Sequence, residues 1–342
     1  MKANKPLLLG ILTSLCLVSC AKESLPEVAI FIYDSQDTFM LSLQESIQKE
    51  LSGKFVSSLS YAERNQVQQT LAAIAAIDSG ADALVINLVD RLSAGALIEK
   101  AYQEEVPIVF ANRKPLMSDL DPEQKSDFAS WVKENCFYVG SYPLYEGATQ
   151  SEIVDGFFGG PGGFAASSYD KNGDGVVQVA VMKGEQGHQD AEERTMACLQ
   201  KLEDLGYSYQ LVATAYGNWE RAAAFAETSK FPLDEIELLY SNNDDMALGV
   251  IDFLKTLLPG GNGFISDSFF PIVGVDATPA GRAAVDDGNM IGTVINDAAI
   301  QSEWIGYLLS KLLLGEELPA VTANVVREGN YFYVEGGIYS SF

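Results

Sequence analysis

The chain has 342 residues, of which 47% are apolar and 20% charged, enough for two compact domains and too apolar for a disordered chain. Acidic side chains outnumber basic ones by 47 to 22, giving a formal net charge of −25. Such a surface repels phosphate backbones and anionic lipid headgroups, which argues against nucleic-acid and peripheral membrane binding.

The N-terminus reads as an export signal. Lys2 and Lys5 precede an apolar run over 7–18, too short to cross a bilayer, and Leu17-Val18-Ser19-Cys20 follows. That tetrapeptide has the form of a lipobox, at which residues 1–19 are removed and Cys20 is acylated; 20–26 then act as a tether. Of the remaining cysteines, Cys136 and Cys198 fit no zinc spacing and read as buried thiols.

From there strands and helices alternate. A β-rich run over 28–33 leads into a helix with Met40, Leu43, Ile47 and Leu51 on one face. A second helix, carrying Val67, Leu71, Ile74 and Ile77 on one face, ends at Gly80; 83–87 and 107–110 read as buried strands. A polar, proline-containing stretch over 112–126 interrupts the pattern. Strands are then expected at 137–139, 176–182, 210–213, 237–240 and 272–275, with helices starting near Asp190, Trp219, Asp244 and Thr278. The pattern predicts an α/β protein of two doubly wound parallel sheets, with ligands bound beyond the carboxyl ends of the strands.

One loop has the form of a calcium site. In Asp170-Lys171-Asn172-Gly173-Asp174-Gly175, oxygen-bearing side chains alternate and glycine occupies the sixth place, where an EF-hand loop turns. Val176 could add its carbonyl and Gln178 its amide oxygen. The twelfth position is Val181 and not an acid, so either another carboxylate completes the site or the loop is a plain Asx turn.

Several short motifs, Ile86-Asn87-Leu88-Val89-Asp90, Gly184-Glu185 followed by Gly187-His188, and Ser241-Asn242-Asn243-Asp244, carry a wider likeness. Over residues 28–326 the chain resembles the bacterial periplasmic galactose/glucose-binding proteins. The resemblance implies two lobes closing over one pyranose around a three-segment hinge at 110–112, 295–297 and 327–330. The lobes would then be 27–110 with 297–327, and 111–296 with 328–342, the second carrying the loop at 170–178. Positions matching the family's sugar contacts are Asp37, Phe39, Asn87, His188, Asp190, Arg194, Trp219, Asn243, Asp276 and Asn296. The resemblance also supplies the missing metal ligand, Glu237, for a structural calcium ion. It implies D-glucose or D-galactose as ligand, an ABC-transporter permease and a chemotaxis receptor as partners, and a monomer. Departures lie in the Gly-rich stretch 156–163 and in Ser35-Gln36 beside Asp37.

These residue types suit a sugar. A pyranose has apolar faces and a rim of hydroxyls, which aromatic platforms (Phe39, Trp219) and planar polar groups would meet. By resemblance, Asp37 meets the hydroxyl at carbon 4, where the two hexoses differ. Phe39 equally suits the core of its helix, any strand-end Asn or Asp equally suits a helix cap, and Asp244 reads as a cap alone. Asp190 and Arg194, four apart, can share a helical face, where an ion pair would hold the arginine in place or merely cap the helix. Asp37 and Asp190 could imitate a glycosidase pair, but Arg194 would keep Asp190 ionised and unable to donate a proton, so no enzyme is expected.

Overall fold

The computed structural model describes residues 24–123, 126–258 and 268–342; the export signal and Cys20 lie outside them. Its first lobe is a seven-stranded sheet with the order β11-β12-β5-β4-β3-β1-β2. The strands are β1 (Glu27–Ile32), β2 (Val56–Tyr61), β3 (Ala83–Ile86), β4 (Ile108–Ala111), β5 (Cys136–Ser141), β11 (Val325–Glu328) and β12 (Tyr331–Val334). All neighbours run parallel except the β11–β12 hairpin. β3 and β4 are buried along their whole length, as expected of short apolar runs covered on both faces.

Helices cover each face of this sheet. On one side, α1 (Thr38–Leu51) and α12 (Ala298–Leu314) bury Leu43, Ile47, Trp304 and Leu308 against Val85, Val109 and Val139. On the other, α2 (Gln66–Asp78), α3 (Ala94–Gln103) and α5 (Asp127–Asn135) pack Ala73, Leu97, Ile98 and Val132 against Leu84 and Ile108; α4 (Met117–Leu120) is a single turn. The buried face of α2 differs from the expected one. Val67 and Leu71 are exposed, and Gln69, Ala73 and Ile77 turn inward. Gln69 is tolerated there because its amide donates to Asn87 O at 2.8 Å and accepts from Val89 N at 3.0 Å, closing the ladder beyond β3.

The second lobe is a six-stranded sheet ordered β13-β10-β9-β8-β6-β7. It comprises β6 (Val176–Lys183), β7 (Ser208–Tyr216), β8 (Leu238–Ser241), β9 (Ile272–Asp276), β10 (Gly292–Ile295) and β13 (Ile338–Ser340), the last antiparallel to β10. α9 (Arg221–Thr228), α10 (Asp244–Leu257) and α11 (Pro279–Asp286) cover one face; α6 (Pro143–Phe158) and α8 (Gln189–Asp204) cover the other, with α7 (Pro161–Ala165) a short turn beside them. Cys136 and Cys198 are both buried and free, one in each lobe. No helix among the described residues is long and apolar enough to cross a membrane.

The lobe boundaries correct the expectation. β5 pairs in parallel with β4, Ile108 beside Cys136, so the first lobe continues through residue 141 and not 110. The polar stretch after β4 holds α4 and leads into α5, so it is part of the crossover from β4 to β5 within the first lobe. Likewise β12 pairs with β5, so the last passage between lobes lies at 335–337 and not at 327–330. The chain therefore crosses between β5 and α6, between β10 and α12, and between β12 and β13. Only the middle passage falls where expected, at 295–297. Hydrophobic periodicity identifies a strand but not the sheet it joins, which is why the first boundary is misplaced although its strand is read at 137–139; the strand at Tyr331–Val334 is not expected from the sequence at all. The second and third passages touch: Ile295 N donates to Gly337 O at 2.8 Å, and a Cβ on Gly336 would fall 1.5 Å from Ile295 O, so glycine is required there.

Candidate functional site

Between the lobes lies a small, largely filled cavity of about 30 Å³. The first lobe lines it with Tyr33, Asp37, Phe39 and Met40 from the β1–α1 connection and with Asn112 and Arg113 just after β4. The second contributes His188, Asp190 and Arg194 from α8 and the turn before it, Trp219 before α9, Asn243 before α10, and Asp276 at the end of β9. Asn296 stands on the middle passage. These positions lie beyond the carboxyl ends of parallel strands, where opposite crossovers leave a crevice.

All the expected contact residues except Asn87 meet at this cavity. Asn87 is fully buried behind it: its Oδ1 accepts from Tyr33 N at 3.2 Å, and its Nδ2 donates to Ala111 O at 3.0 Å and Asn112 Oδ1 at 3.2 Å. It ends a central strand, so its amide stitches the ends of both neighbouring strands and positions Asn112, which lines the wall in its place. Sequence reasoning also passed over Tyr33, Met40, Arg113 and, behind the wall, Glu146. An asparagine directly after a buried strand was the available signal for Asn112.

Three wall residues have a left-handed backbone: Asn112 at φ 60°, Trp219 at φ 68° and Asp276 at φ 108°. Such conformations cost about 1–3 kcal/mol each outside glycine and persist only where surrounding contacts impose them. Here each carbonyl is held by a donor: Tyr138 Oη to Asn112 O at 2.9 Å, Asn243 Nδ2 to Trp219 O at 3.3 Å, and Asn296 N to Asp276 O at 3.4 Å. Asn243 also caps α10 through Met246 N at 2.9 Å, so the cap expected of Asp244 belongs to its neighbour. Asp244 is instead a buried knot, accepting from Thr278 N and Oγ1 and from Thr293 Oγ1.

Trp219 lies flat enough against the chain that a Cβ on Gly184 would come within 2.2 Å of its ring, and it meets the His188 ring edge-on at 5.1 Å. Phe39 both lines the cavity and belongs to the first-lobe core, so its two readings hold together. Asp37 caps α1 through Met40 N at 2.9 Å and accepts from Tyr33 Oη at 2.6 Å.

Arg194 is held otherwise than expected. Its close partner is Glu146 on α6, Nε to Oε2 at 2.7 Å with both side chains buried; Asp190 stands 3.6 Å from Nη2. Nη1 donates to Asn242 O at 2.7 Å. Burial pushes the Asp190 carboxyl up to about 6 despite the opposing Arg194 charge, and drives Asp276 well above the usual carboxylate range. Asp190 is therefore less firmly ionised than the ion pair alone would make it. His188 is driven well below its ordinary value by burial and then by Arg113 and Arg194, so the ring is neutral. Its Nδ1 accepts from Asp190 N at 3.2 Å, which leaves the proton on Nε2.

The loop at 170–178 is held mainly by its own backbone. Asp170 accepts from the N–H groups of Gly173, Asp174 and Gly175, Asn172 from Asp174 N, and Asp174 from Val176 N. Glu237, remote in sequence, reaches it: its oxygens accept from Lys171 N at 2.6 Å and Gln178 N at 3.1 Å. Burial raises the Glu237 pKa, and the Asp170 and Asp174 charges raise it further. Gln178 Oε1 is buried without a hydrogen-bond partner. Among the described residues no three acidic, histidine or cysteine side chains converge as a ready metal site, so an ion held here would need the amide and carbonyl oxygens as well.

Comparison with known proteins agrees with this architecture. The family model described as periplasmic binding protein domain matches residues 28–317. The D-galactose/methyl-galactoside binding periplasmic protein of Haemophilus influenzae is 30% identical over 295 residues, covering 84% of this chain and 82% of that one. An ABC-transporter solute-binding protein from Actinobacillus succinogenes, solved with D-allose, superposes with a TM-score of 0.72 at 18% identity, over 92% of this chain and 97% of that one. Another from Bacillus halodurans, solved with myo-inositol, gives 0.70 at 22% identity, over 94% and 96%. With two parallel-sheet lobes, three passages between them and a polar cavity at their meeting, the chain belongs to the periplasmic binding protein domain family.

Proposed function

We propose that this protein is a hexose receptor that captures D-glucose or D-galactose between its lobes and delivers it to an ABC-transporter permease. The observation that carries the reading is the composition of the cavity wall. Aromatic rings come from both lobes, Tyr33 and Phe39 from the first and Trp219 from the second, and between them stand Asp37, Asp190, Asp276, Asn112, Asn243, Asn296, Arg194 and neutral His188. Carboxylates and amides both accept from hydroxyls, guanidinium and His188 Nε2–H donate to them, and flat rings cover C–H faces. The relative named for galactose and methyl-galactoside supports a hexose over a smaller solute. The wall binds and excludes water, and the chain is a receptor, not an enzyme.

The same reading gives the protein a periplasm-facing, lipid-anchored location through Cys20, a structural calcium ion, and the chemotaxis receptor as a further partner. Asp170, Asn172, Asp174, the Val176 carbonyl, Gln178 and Glu237 would hold the ion; their all-oxygen chemistry and the unpartnered Gln178 Oε1 favour it.

A thermal-shift panel of D-glucose, D-galactose, D-allose, D-ribose and myo-inositol tests the solute class. Stabilisation by either of the first two is expected, since a solute bound only by the folded state raises the melting temperature. Stabilisation by D-ribose or myo-inositol alone would overturn the hexose assignment.

A further inference from the structure

Asn296 stands between β10 of the second lobe and α12 of the first, and its side chain is held from both sides. Toward the second lobe its Nδ2 donates to Asp276 Oδ1 at 3.2 Å. Toward the first its Oδ1 accepts from Gln301 Nε2 at 2.6 Å. Gln301 lies in the first turn of α12, is fully buried and does not line the cavity. The helix gives it a fixed base. Asp297 caps α12 by accepting from Ala299 N and Ile300 N at 3.0 Å each, Gln301 N donates to Asp297 O at 3.0 Å, and Trp304 and Ile305 further along are buried in the first-lobe core.

An asparagine amide can present either its oxygen or its NH2 group to a ligand, and its neighbours decide which. Gln301 offers Asn296 a donor, which takes the oxygen and leaves the NH2 group toward Asp276, with a second hydrogen for the cavity. The reversed arrangement would set Asn296 Oδ1 against the Asp276 carboxyl, two acceptors facing each other. Among the described residues the bond to Asn296 is the only one the Gln301 side chain makes, since its Oε1 is buried with no hydrogen-bond partner. Burying an amide for a single bond is costly, and an apolar side chain would serve packing better. The glutamine is therefore explained by what it does to Asn296.

We propose that Gln301 is a positioning residue that sets Asn296 to donate to the solute: it holds the asparagine oxygen, so that the NH2 group faces Asp276 and the cavity. This rests on the capture of a solute between the lobes and holds for whichever sugar fills the cavity. With Oδ1 of Asp276 committed to Asn296, its Oδ2 is left to accept from a hydroxyl. One glutamine outside the cavity thus fixes a donor and an acceptor side by side, the pairing that two adjacent hydroxyls of a sugar require.

The test uses Gln301→Met and Gln301→Glu, with D-glucose and D-galactose as probes and affinity read by calorimetry between about pH 5 and about pH 9. Gln301→Met fills similar space without a donor and should weaken binding about tenfold at every pH, the loss of one well-placed hydrogen bond. Gln301→Glu carries the sharper expectation. While protonated, near the acid end, the new carboxyl donates to Asn296 as the glutamine does, and affinity should stay within about twofold of the parent. Once ionised it only accepts, so Asn296 must turn its NH2 group toward it and its oxygen toward Asp276, and affinity should fall about tenfold by the alkaline end. Arg194, Asp244 and Asp37 act on Asp276 in every variant, so the difference from the parent at each pH is what is read. Parent-like affinity in Gln301→Met, or a loss in Gln301→Glu that does not grow with pH, would overturn the proposal. Solute-free protein gives a second readout. The Asn296 side-chain amide resonance of isotope-labelled protein, identified by its absence in Asn296→Asp, should move with pH in Gln301→Glu by more than in the parent, and equal movement would contradict the proposal. If the parent binds neither hexose, the solute assignment fails, while this resonance still decides the orientation of Asn296.

Discussion

The cavity and the loop at 170–178 are built from the same side chains, aspartate and asparagine, yet their polar atoms are satisfied in opposite ways. In the loop the acceptors take N–H groups within five residues of themselves, and the Asp170, Asn172 and Asp174 side chains stay near solvent. In the cavity the decisive partners come from distant elements, Asn296 for Asp276 and Glu146 for Arg194, although Asp190 takes its own from the same helix. Burial shifts ionisation in the second case, and locality fixes geometry in the first. The contrast teaches that a turn is written in its own residues, whereas a binding wall is written in partners brought together by the fold.

The largest expected effect breaks the buried side of this contrast. Arg194→Ala leaves Glu146 buried and uncompensated and should destabilise the protein by about 3–5 kcal/mol in urea unfolding. Arg221→Ala, which removes the exposed pair with Asp252, should cost about 0–1 kcal/mol. Equal losses would show that burial does not separate the two pairs.

Next comes the wall itself. Trp219→Ala removes the second lobe's large aromatic ring from the cavity wall and should lower hexose affinity on the order of a hundredfold by calorimetry, as loss of a buried aromatic anchor does. A change below about threefold would remove Trp219 from the site.

The loop gives a smaller effect. Calcium should raise the melting temperature of the parent by a few degrees and leave hexose affinity largely intact, while Glu237→Gln should lose most of that rise. An unchanged melt on adding calcium or a chelator would dismiss the metal.

The smallest is a pH slope. Burial pushes Asp244 up to about 7, against about 4 in an unfolded chain. A raised carboxyl binds its proton more tightly when folded, so its contribution is fully present below about pH 4 and is lost as pH rises through 7. Asp244→Asn should flatten that decline when stability is followed over this range.

Legibility followed the same division. The turn of the loop could be read because its partners lie within a few residues, and the buried strands up to β9 because apolar runs announce themselves, whereas β2 and the strands after β9 were not read. Asn87 and Asn112 show the limit: both directly follow buried central strands, and nothing local separates the first, whose amide is taken up by the neighbouring strand ends, from the second, which lines the cavity at φ 60°. Glu146 gave no local signal, since its partner lies 48 residues away on a helix that packs against its own. The lobe boundaries were misplaced for a related reason: β5 was legible as a strand but not the sheet it joins, and β12, which pairs with it, was not read as a strand.

The central claim, that a hexose is captured in the cavity between the lobes, is tested most directly by titrating the purified protein with D-glucose and D-galactose in a calorimeter. Saturable binding of one hexose per chain is expected for at least one of the two, with affinity lost in Trp219→Ala. No heat with either sugar, from protein that binds another solute, would contradict it.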